Sequence, residues 1–399
     1  MTVVYKGALC LAPMVRAGNL PTRLLALKNK ADLVWSPEII DKKIITCERV
    51  INAESNTIDY LAPYPENRPP KDGVNRECVF RTHLGGEEKG KLIFQIGTSD
   101  PDLAVKAALK VIEDVDGIDV NSGCPKPFSV HSGCGAALLR TPDKLEAILK
   151  NLVEKVGKPF SKPISVKIRI LENEETTLTL VSRILKTGIQ NLTVHCRTPS
   201  MRNRQSPIRE YLPKIYTLCK ENNVSLIVNG GLSNKKDFIK IREEMGLDEE
   251  VGGMFADRAE ENPTIFLDDP LPWYKVLMNY IEIAKSLNNP LHNSKYMLTR
   301  ILRNDKIDKA FVSIKSYEEI DYLIDTYLNK ETGTFKVKEA MVYMQSLRSK
   351  DKELKRLKQQ QEQQEKNRIE KLLKEQKKKD TSIDKQNETD EHIDKKQKL

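Results

Sequence analysis

Eight short apolar runs recur before residue 258: ALCLAPM (8–14), DLVWSPE (32–38), KLIFQIG (91–97), GIDVNSG (117–123), ISVKIRI (164–170), NLTVHC (191–196), LIVNGG (226–231) and GGMFAD (252–257). Continuous apolar strands with helical stretches between them predict a parallel sheet buried on both faces. Eight such units predict a (β/α)8 TIM barrel. A doubly wound sheet needs fewer strands and a G-x-G-x-x-G turn after the first, which this sequence lacks. Polar or reactive residues follow the strands: Pro13-Met14, Gln95, Asn121 to Cys124, Lys167 and Arg169, His195, Asn229 to Gly231, and Arg258. Barrel enzymes build their sites at those C-terminal ends, so these residues are candidates for one site.

The segment 41–90 is long for a strand-to-helix connection. Its piece CVFRTHL (78–84) predicts a hairpin over the barrel. A barrel domain over 1–261 is expected to give way, after Asn262-Pro263, to a small all-α domain over 262–346. PWYKVLMNYIEIAKSLN (272–288) and VKEAMVYMQSLRSK (337–350) carry the helical pattern. Residues 347–399 form a Lys-rich tail, expected to be helical and then disordered from residue 380.

Charge is uneven. Arg348 to Lys379 holds 13 Lys/Arg against 6 Asp/Glu, a net +7 that leaves +2 of the chain's +9 for everything else. A basic arm on a near-neutral body points to a polyanion, with affinity that falls as salt rises. A solvated helix without a partner is the alternative. The seven cysteines are odd in number and lack C-x-x-C spacing, which argues for reduced intracellular thiols and no metal site. With no apolar run of membrane length, the expectation is a cytoplasmic monomer without a membrane partner. The lysine-rich tract leaves nuclear access open.

Glycines in VNGG (228–231), with the loop at 257–258, suit a phosphate held by backbone N–H groups. Lys167 brings a cation to the centre, suited to a cofactor that becomes negative on reduction. Gln95 offers both a donor and an acceptor to a flavin's pyrimidine edge. A phosphate at one end and a polar ring edge at the other describe FMN better than a nicotinamide dinucleotide.

Six stretches resemble the tRNA-dihydrouridine synthase family, in its order and spacing: LAPMVRAGNLPTR (11–23), FQIGT (94–98), DVNSGCPKPFSVHSGCGAALL (119–139), SVKIR (165–169), TVHCRT (193–198) and VNGG (228–231). PMVRAGNLPTR and GAALLRTPDKLEAIL most resemble its eukaryotic tRNA-dihydrouridine(20) synthase branch. The resemblance implies that Pro13, Met14 and Val15 form the first FMN-contacting turn, with Gln95, Lys167 and His195 at the flavin. It implies Asn229, Gly230, Gly231, Asp257 (through its backbone) and Arg258 at the phosphate, Asn121 and Arg169 facing the target base, and Cys124 as proton donor. It further implies tRNA as substrate, NADPH as the reductant of the flavin, and a D-loop uridine, U20, as target.

Uracil's C5=C6 bond is conjugated to its C4 carbonyl. Hydride added at C6 leaves an enolate-like charge that a proton at C5 must quench. A thiol of ordinary pKa, about 8.5, is mostly protonated at neutral pH, so Cys124 can serve as the acid. A base within folded RNA must also be extruded, at a cost of a few kcal/mol, which phosphate contacts from the helical domain and the arm can offset.

Three positions depart from the family pattern: Cys196 for glycine, Ser122 for methionine, and Asp257 for a small residue. An acidic side chain beside a phosphate must point away or pair with Arg258. Two other readings remain at this stage: an FMN barrel acting on a free pyrimidine, and a non-catalytic RNA-binding protein on the same scaffold.

Overall fold

The computed structural model describes residues 3–64, 76–303 and 307–396. They fall into two compact units, Met1–Phe335 and Lys336–Leu399. Twelve strands are present among the described residues: β1 (Leu9–Leu11), β2 (Leu33–Trp35), β3 (Ile39–Ile40), β4 (Glu48–Asn52), β5 (Thr57–Pro63), β6 (Arg76–His83), β7 (Leu92–Gly97), β8 (Gly117–Ser122), β9 (Ile164–Arg169), β10 (Asn191–His195), β11 (Ser225–Asn229) and β12 (Gly252–Phe255). All eight runs read from the sequence are strands. They pair in the order β2-β1-β12-β11-β10-β9-β8-β7, and β2 pairs with β7 to close the cylinder. Every pairing around it is parallel. The barrel reading holds.

The short β3 was not expected. Proline has no N–H for a ladder, so Pro37 interrupts the strand that begins as β2. β2 pairs through Val34 with Leu92 and Trp35 with Ile93, and β3 resumes with Ile39 beside Ile96 and Ile40 beside Gly97. Between them the Gln95 N–H donates to Ser36 Oγ at 2.9 Å. Residues 36–38 therefore leave the wall at the C-terminal end of the barrel.

Side chains Phe94 and Gln95 point to opposite sides of β7. Gln95 faces inward, where it meets Asp119, and Phe94 faces out. Phe80 of β6 packs edge-on against Phe94, ring centroids 4.9 Å apart. The connection 41–90 is thus a three-stranded antiparallel sheet, β4-β5-β6, on the barrel's flank. The expected hairpin over the barrel is present as β5-β6, with β4 added as a third strand. The buried Arg23–Glu88 ion pair, at 2.6 Å, ties that flank to the helix Leu20–Lys28.

Helices after the strands begin where the sequence supplies caps. Asp100 Oδ1 accepts from the N–H groups of Asp102 and Leu103 (both 2.9 Å) ahead of Pro101–Val111, and Asn173 caps Glu174–Leu185. Beyond the barrel come helices Trp273–Ser286, Leu291–Ile301, Asp308–Phe311 and Tyr317–Tyr327. Arg300 pairs with Glu260 at 2.6 Å, and the Arg16 guanidinium stacks over Tyr296 at 4.3 Å, so this helical layer packs on the barrel within one unit.

The second unit carries one helix, Val337–Lys396, with Leu354, Leu357, Ile369, Leu372 and Leu373 exposed. It continues past residue 380, where composition places the start of disorder, and residues 397–399 lie outside the described residues. No helix among the described residues is long and apolar enough to cross a membrane.

Candidate active site

Strand register assembles the mouth. Asn121 lies beside Lys167, and Arg169 lies beside His195, which lies beside Asn229. Residues paired across parallel strands share a face, so the inward set at the C-terminal end is polar although the strands are apolar.

A chain of buried hydrogen bonds orders that set. Ser165 Oγ donates to Asp119 Oδ1 at 2.6 Å, and Gln95 Nε2 donates to Asp119 Oδ2 at 2.7 Å. Asn121 Nδ2 donates to Gln95 Oε1 at 3.1 Å, and Asn121 Oδ1 accepts from the N–H groups of Gly123 and Cys124, each at 3.0 Å. Burial raises the Asp119 carboxyl to about 6, against the hydrogen bonds from Gln95 and Ser165 and the charge of Lys167. With its amide fixed from both sides, Gln95 keeps one N–H and one lone pair for a ligand.

The Lys167 ammonium makes no hydrogen bond among the described residues. Burial, and then Arg169, lower its ammonium to about 8. Burial, together with Lys167, Arg169 and Arg197, pushes the His195 imidazole far down, so it is neutral. Its Nδ1 is buried without a partner among the described residues. A buried nitrogen in that condition costs free energy until something bonds it.

Arg169 reaches across the mouth. Its Nε donates to Gly123 O at 2.9 Å and its Nη1 to Thr198 O at 2.8 Å, bracing the Cys124 loop against the loop after β10. Cys124 is a half-buried free thiol. Burial, and then the negative charge of Glu38, raise its pKa above the ordinary value, which keeps it protonated. On the same loop Cys134 is buried, whereas Lys126 and His131 are exposed.

The other end of the mouth is built from backbone. Gly230 and Gly231 have φ of +108° and +69°, conformations open to glycine, and Arg209 Nη2 donates to Gly230 O at 3.1 Å. Asn229 Nδ2 donates to Met254 O at 2.8 Å. Asp257 accepts from Asn203 Nδ2 at 3.0 Å, and Arg258 pairs instead with Glu261 at 2.8 Å. Of the two arrangements expected for Asp257, the pairing with Arg258 is absent: a neighbouring amide draws the carboxylate aside. Met14 is buried in the turn after β1, Pro13 is half-buried and Val15 is exposed.

The other departures are accommodated. Cys196 is fully buried on the side of the chain opposite His195, its thiol pushed up to about 12 chiefly by burial. Ser122 is fully buried with its Oγ unpartnered among the described residues.

The free edge of Gln95, the Lys167 ammonium, the orphaned His195 Nδ1 and the paired glycines fit a flat heteroaromatic ring carrying an anionic tail. A family model described as dihydrouridine synthase (Dus) matches residues 32–382. The chain belongs to the dihydrouridine synthase family. It is 48% identical over 360 residues to the tRNA-dihydrouridine(20) synthase (NAD(P)+) of Saccharomyces cerevisiae, covering 88% of this chain and 91% of that one. The enzyme of that name from Schizosaccharomyces pombe is 43% identical over 323 residues, covering 79% of this chain and 64% of that one. A mouse tRNA-dihydrouridine(20a/20b) synthase-like protein is 29% identical, covering 79% of this chain and 88% of its own.

Sequence reasoning missed several residues of this dihydrouridine synthase site. Asp119 was findable, because it lies two residues before Asn121 on one strand and so shares its face. Glu38 had a signal in the strand-breaking proline before it. Ser129, Asn203 and Arg209 reach the site through loop geometry and had none.

Proposed function

We propose that the chain is an FMN-dependent tRNA-dihydrouridine synthase that reduces the C5=C6 bond of uridine 20 in the D loop, with NADPH as reductant. The observation that carries this reading is the half-buried Cys124 thiol, kept protonated on a loop that Asn121 and Arg169 hold at the barrel mouth. The high identity to enzymes named for that reaction supports it.

Gln95, Lys167 and His195 would hold the ring, with the turn Pro13–Val15 along it. Asn229, Gly230, Gly231, the backbone of Asp257 and the Arg258 side chain would hold the phosphate. The group held there would, once reduced, supply the hydride that C6 of the base needs. Lys167 offers a positive charge to the pyrimidine edge, and neutral His195 offers a hydrogen bond rather than a second cation. Cys124 transfers its thiol proton to C5. Asn121 holds the loop that presents Cys124, and Arg169 braces it while keeping one guanidinium nitrogen for the base. The helical layer and the basic helix after Lys336 would bind tRNA phosphates, offsetting the cost of extruding the base.

A direct test uses purified protein, NADPH and tRNA transcript. The expected result is a yellow protein whose flavin, once bleached by NADPH, regains its visible absorbance when tRNA is added, with dihydrouridine appearing at position 20. Turnover of free uracil or dihydroorotate instead would overturn the substrate assignment, and a colourless protein the enzymatic one. Truncation after residue 347 should weaken tRNA binding and flatten its salt dependence; an unchanged salt series would remove that role from the tail.

A further inference from the structure

Glu38 stands where the wall strand breaks. Pro37 ends the ladder of β2, the chain leaves the barrel wall for three residues, and β3 resumes at Ile39. That excursion delivers a carboxylate to the Cys124 loop, far away in sequence. Ser129 Oγ donates to Glu38 Oε1 at 3.1 Å, and Ser129 is fully buried. No Lys or Arg pairs with Glu38 among the described residues.

Two glycines leave room for the contact. A Cβ on Gly97 would lie 2.7 Å from Glu38 Oε1, and one on Gly135 would collide with Ser129 Oγ and sit 2.6 Å from Cys124 O. Side chains at either position would push this cluster apart. The loop itself is closed by Ala136 N–H donating to Cys124 O at 2.9 Å. Glu38, Ser129 and Cys124 therefore form a compact group drawn from two segments of chain.

A surface carboxylate would be solvated and paired with a cation. Here burial favours the neutral acid, while hydrogen bonds from Ser129 and Cys124 favour the anion, and burial is the larger influence. For the thiol, Glu38 opposes ionisation through its charge and by accepting the thiol hydrogen, whereas Ser129 favours it. The charges of Lys167 and Arg169, which couple to Cys124, act in the opposite sense to Glu38.

We propose that Glu38 is a positioning residue for Cys124: with Ser129 it fixes the thiol at the barrel mouth, keeps its proton in place against the pull of Lys167 and Arg169, and restores that proton after each turnover. This rests on Cys124 being the proton donor. Once the thiol has protonated C5 it is a thiolate beside the Glu38 carboxylate. The carboxylate takes a proton from solvent and passes it to the thiolate. One proton enters for each one delivered to the base, and no redox partner is needed.

The test measures the Cys124 thiol without turnover. Flavin-loaded protein is alkylated with iodoacetamide across a pH series, and the Cys124 peptide is followed by mass spectrometry. Glu38→Gln should lower the midpoint of alkylation and raise the rate near about pH 7.5 roughly fivefold, because a negative neighbour has gone. Ser129→Ala should move the midpoint the other way, and Glu38→Asp should restore most of the native profile. A purely structural role predicts shifts of one sign in all three. An unchanged midpoint in Glu38→Gln, or shifts of one sign throughout, overturns the proposal. If Glu38→Gln does not fold, the direction of the Ser129→Ala shift decides. Separately, full dihydrouridine formation by Cys124→Ala would overturn the donor assignment while leaving the alkylation result to stand for the cluster alone.

Discussion

The two ends of the barrel mouth are built from different materials. At the reacting end, buried side chains hold one another: Ser165, Asp119, Gln95 and Asn121 form a continuous chain, and Ser129 of the Cys124 loop donates to Glu38. At the end suited to an anion, glycine backbone does the shaping, and the exposed Arg258 guanidinium nearby pairs with Glu261. Chemical identity matters at the first end and backbone conformation at the second. A change of side chain should therefore hurt most where groups are buried and paired, and a change of backbone freedom should hurt most at the glycines.

Cys124→Ala is the most severe test of that contrast. Dihydrouridine formation should fall about 10²- to 10⁴-fold, the usual contribution of a positioned acid, with tRNA affinity unchanged in a filter-binding assay. Full activity would show that the acid lies elsewhere. Next comes Gly230→Ala: a side chain at φ +108° is strained by about 1–3 kcal/mol, so flavin retention through dialysis should drop roughly tenfold. If retention is untouched, backbone conformation does not govern that end.

The pH dependence of flavin affinity is smaller over the working range, and its sign is set by Lys167. The ammonium is charged below about 8 and neutral above it. An anionic ligand prefers the charged form, so affinity should stay flat below that pH and weaken above it by at most about tenfold per unit. A fluorescence titration that finds no slope would take Lys167 out of the cofactor's contacts. The mildest effect is expected for Arg258→Ala, because its exposed guanidinium shares its charge between Glu261 and the phosphate it would hold, and flavin affinity should change less than about threefold. A larger loss would mean that side-chain charge matters at both ends, and the contrast would fail.

Much of this was legible in the chain. The eight strands came from apolar runs whose length and spacing suit a buried parallel sheet. The mouth residues came from their position just after those runs. Cys124 stood out because a thiol before a proline at a strand end has no packing reason to be there. The flank sheet was read only as a hairpin, because β4, β5 and β6 alternate without saying how many strands pair or which surface they cover. Their placement depends on Phe80 finding Phe94, a contact between distant segments.

The sequence by itself determined the barrel, the face of each strand that turns inward, and the residue types available at its open end, because two-residue alternation and buried strand composition are local properties. Only the tertiary structure decided which of those groups hold one another. Gln95 is fixed through Asp119, Asp257 is turned toward Asn203, and Glu38 is brought to Ser129 of the Cys124 loop by closure of the cylinder and a break at Pro37. Hydrogen-bond partners and the shifts of acidity that follow from burial depend on distances across the folded chain, and spacing along it does not contain them.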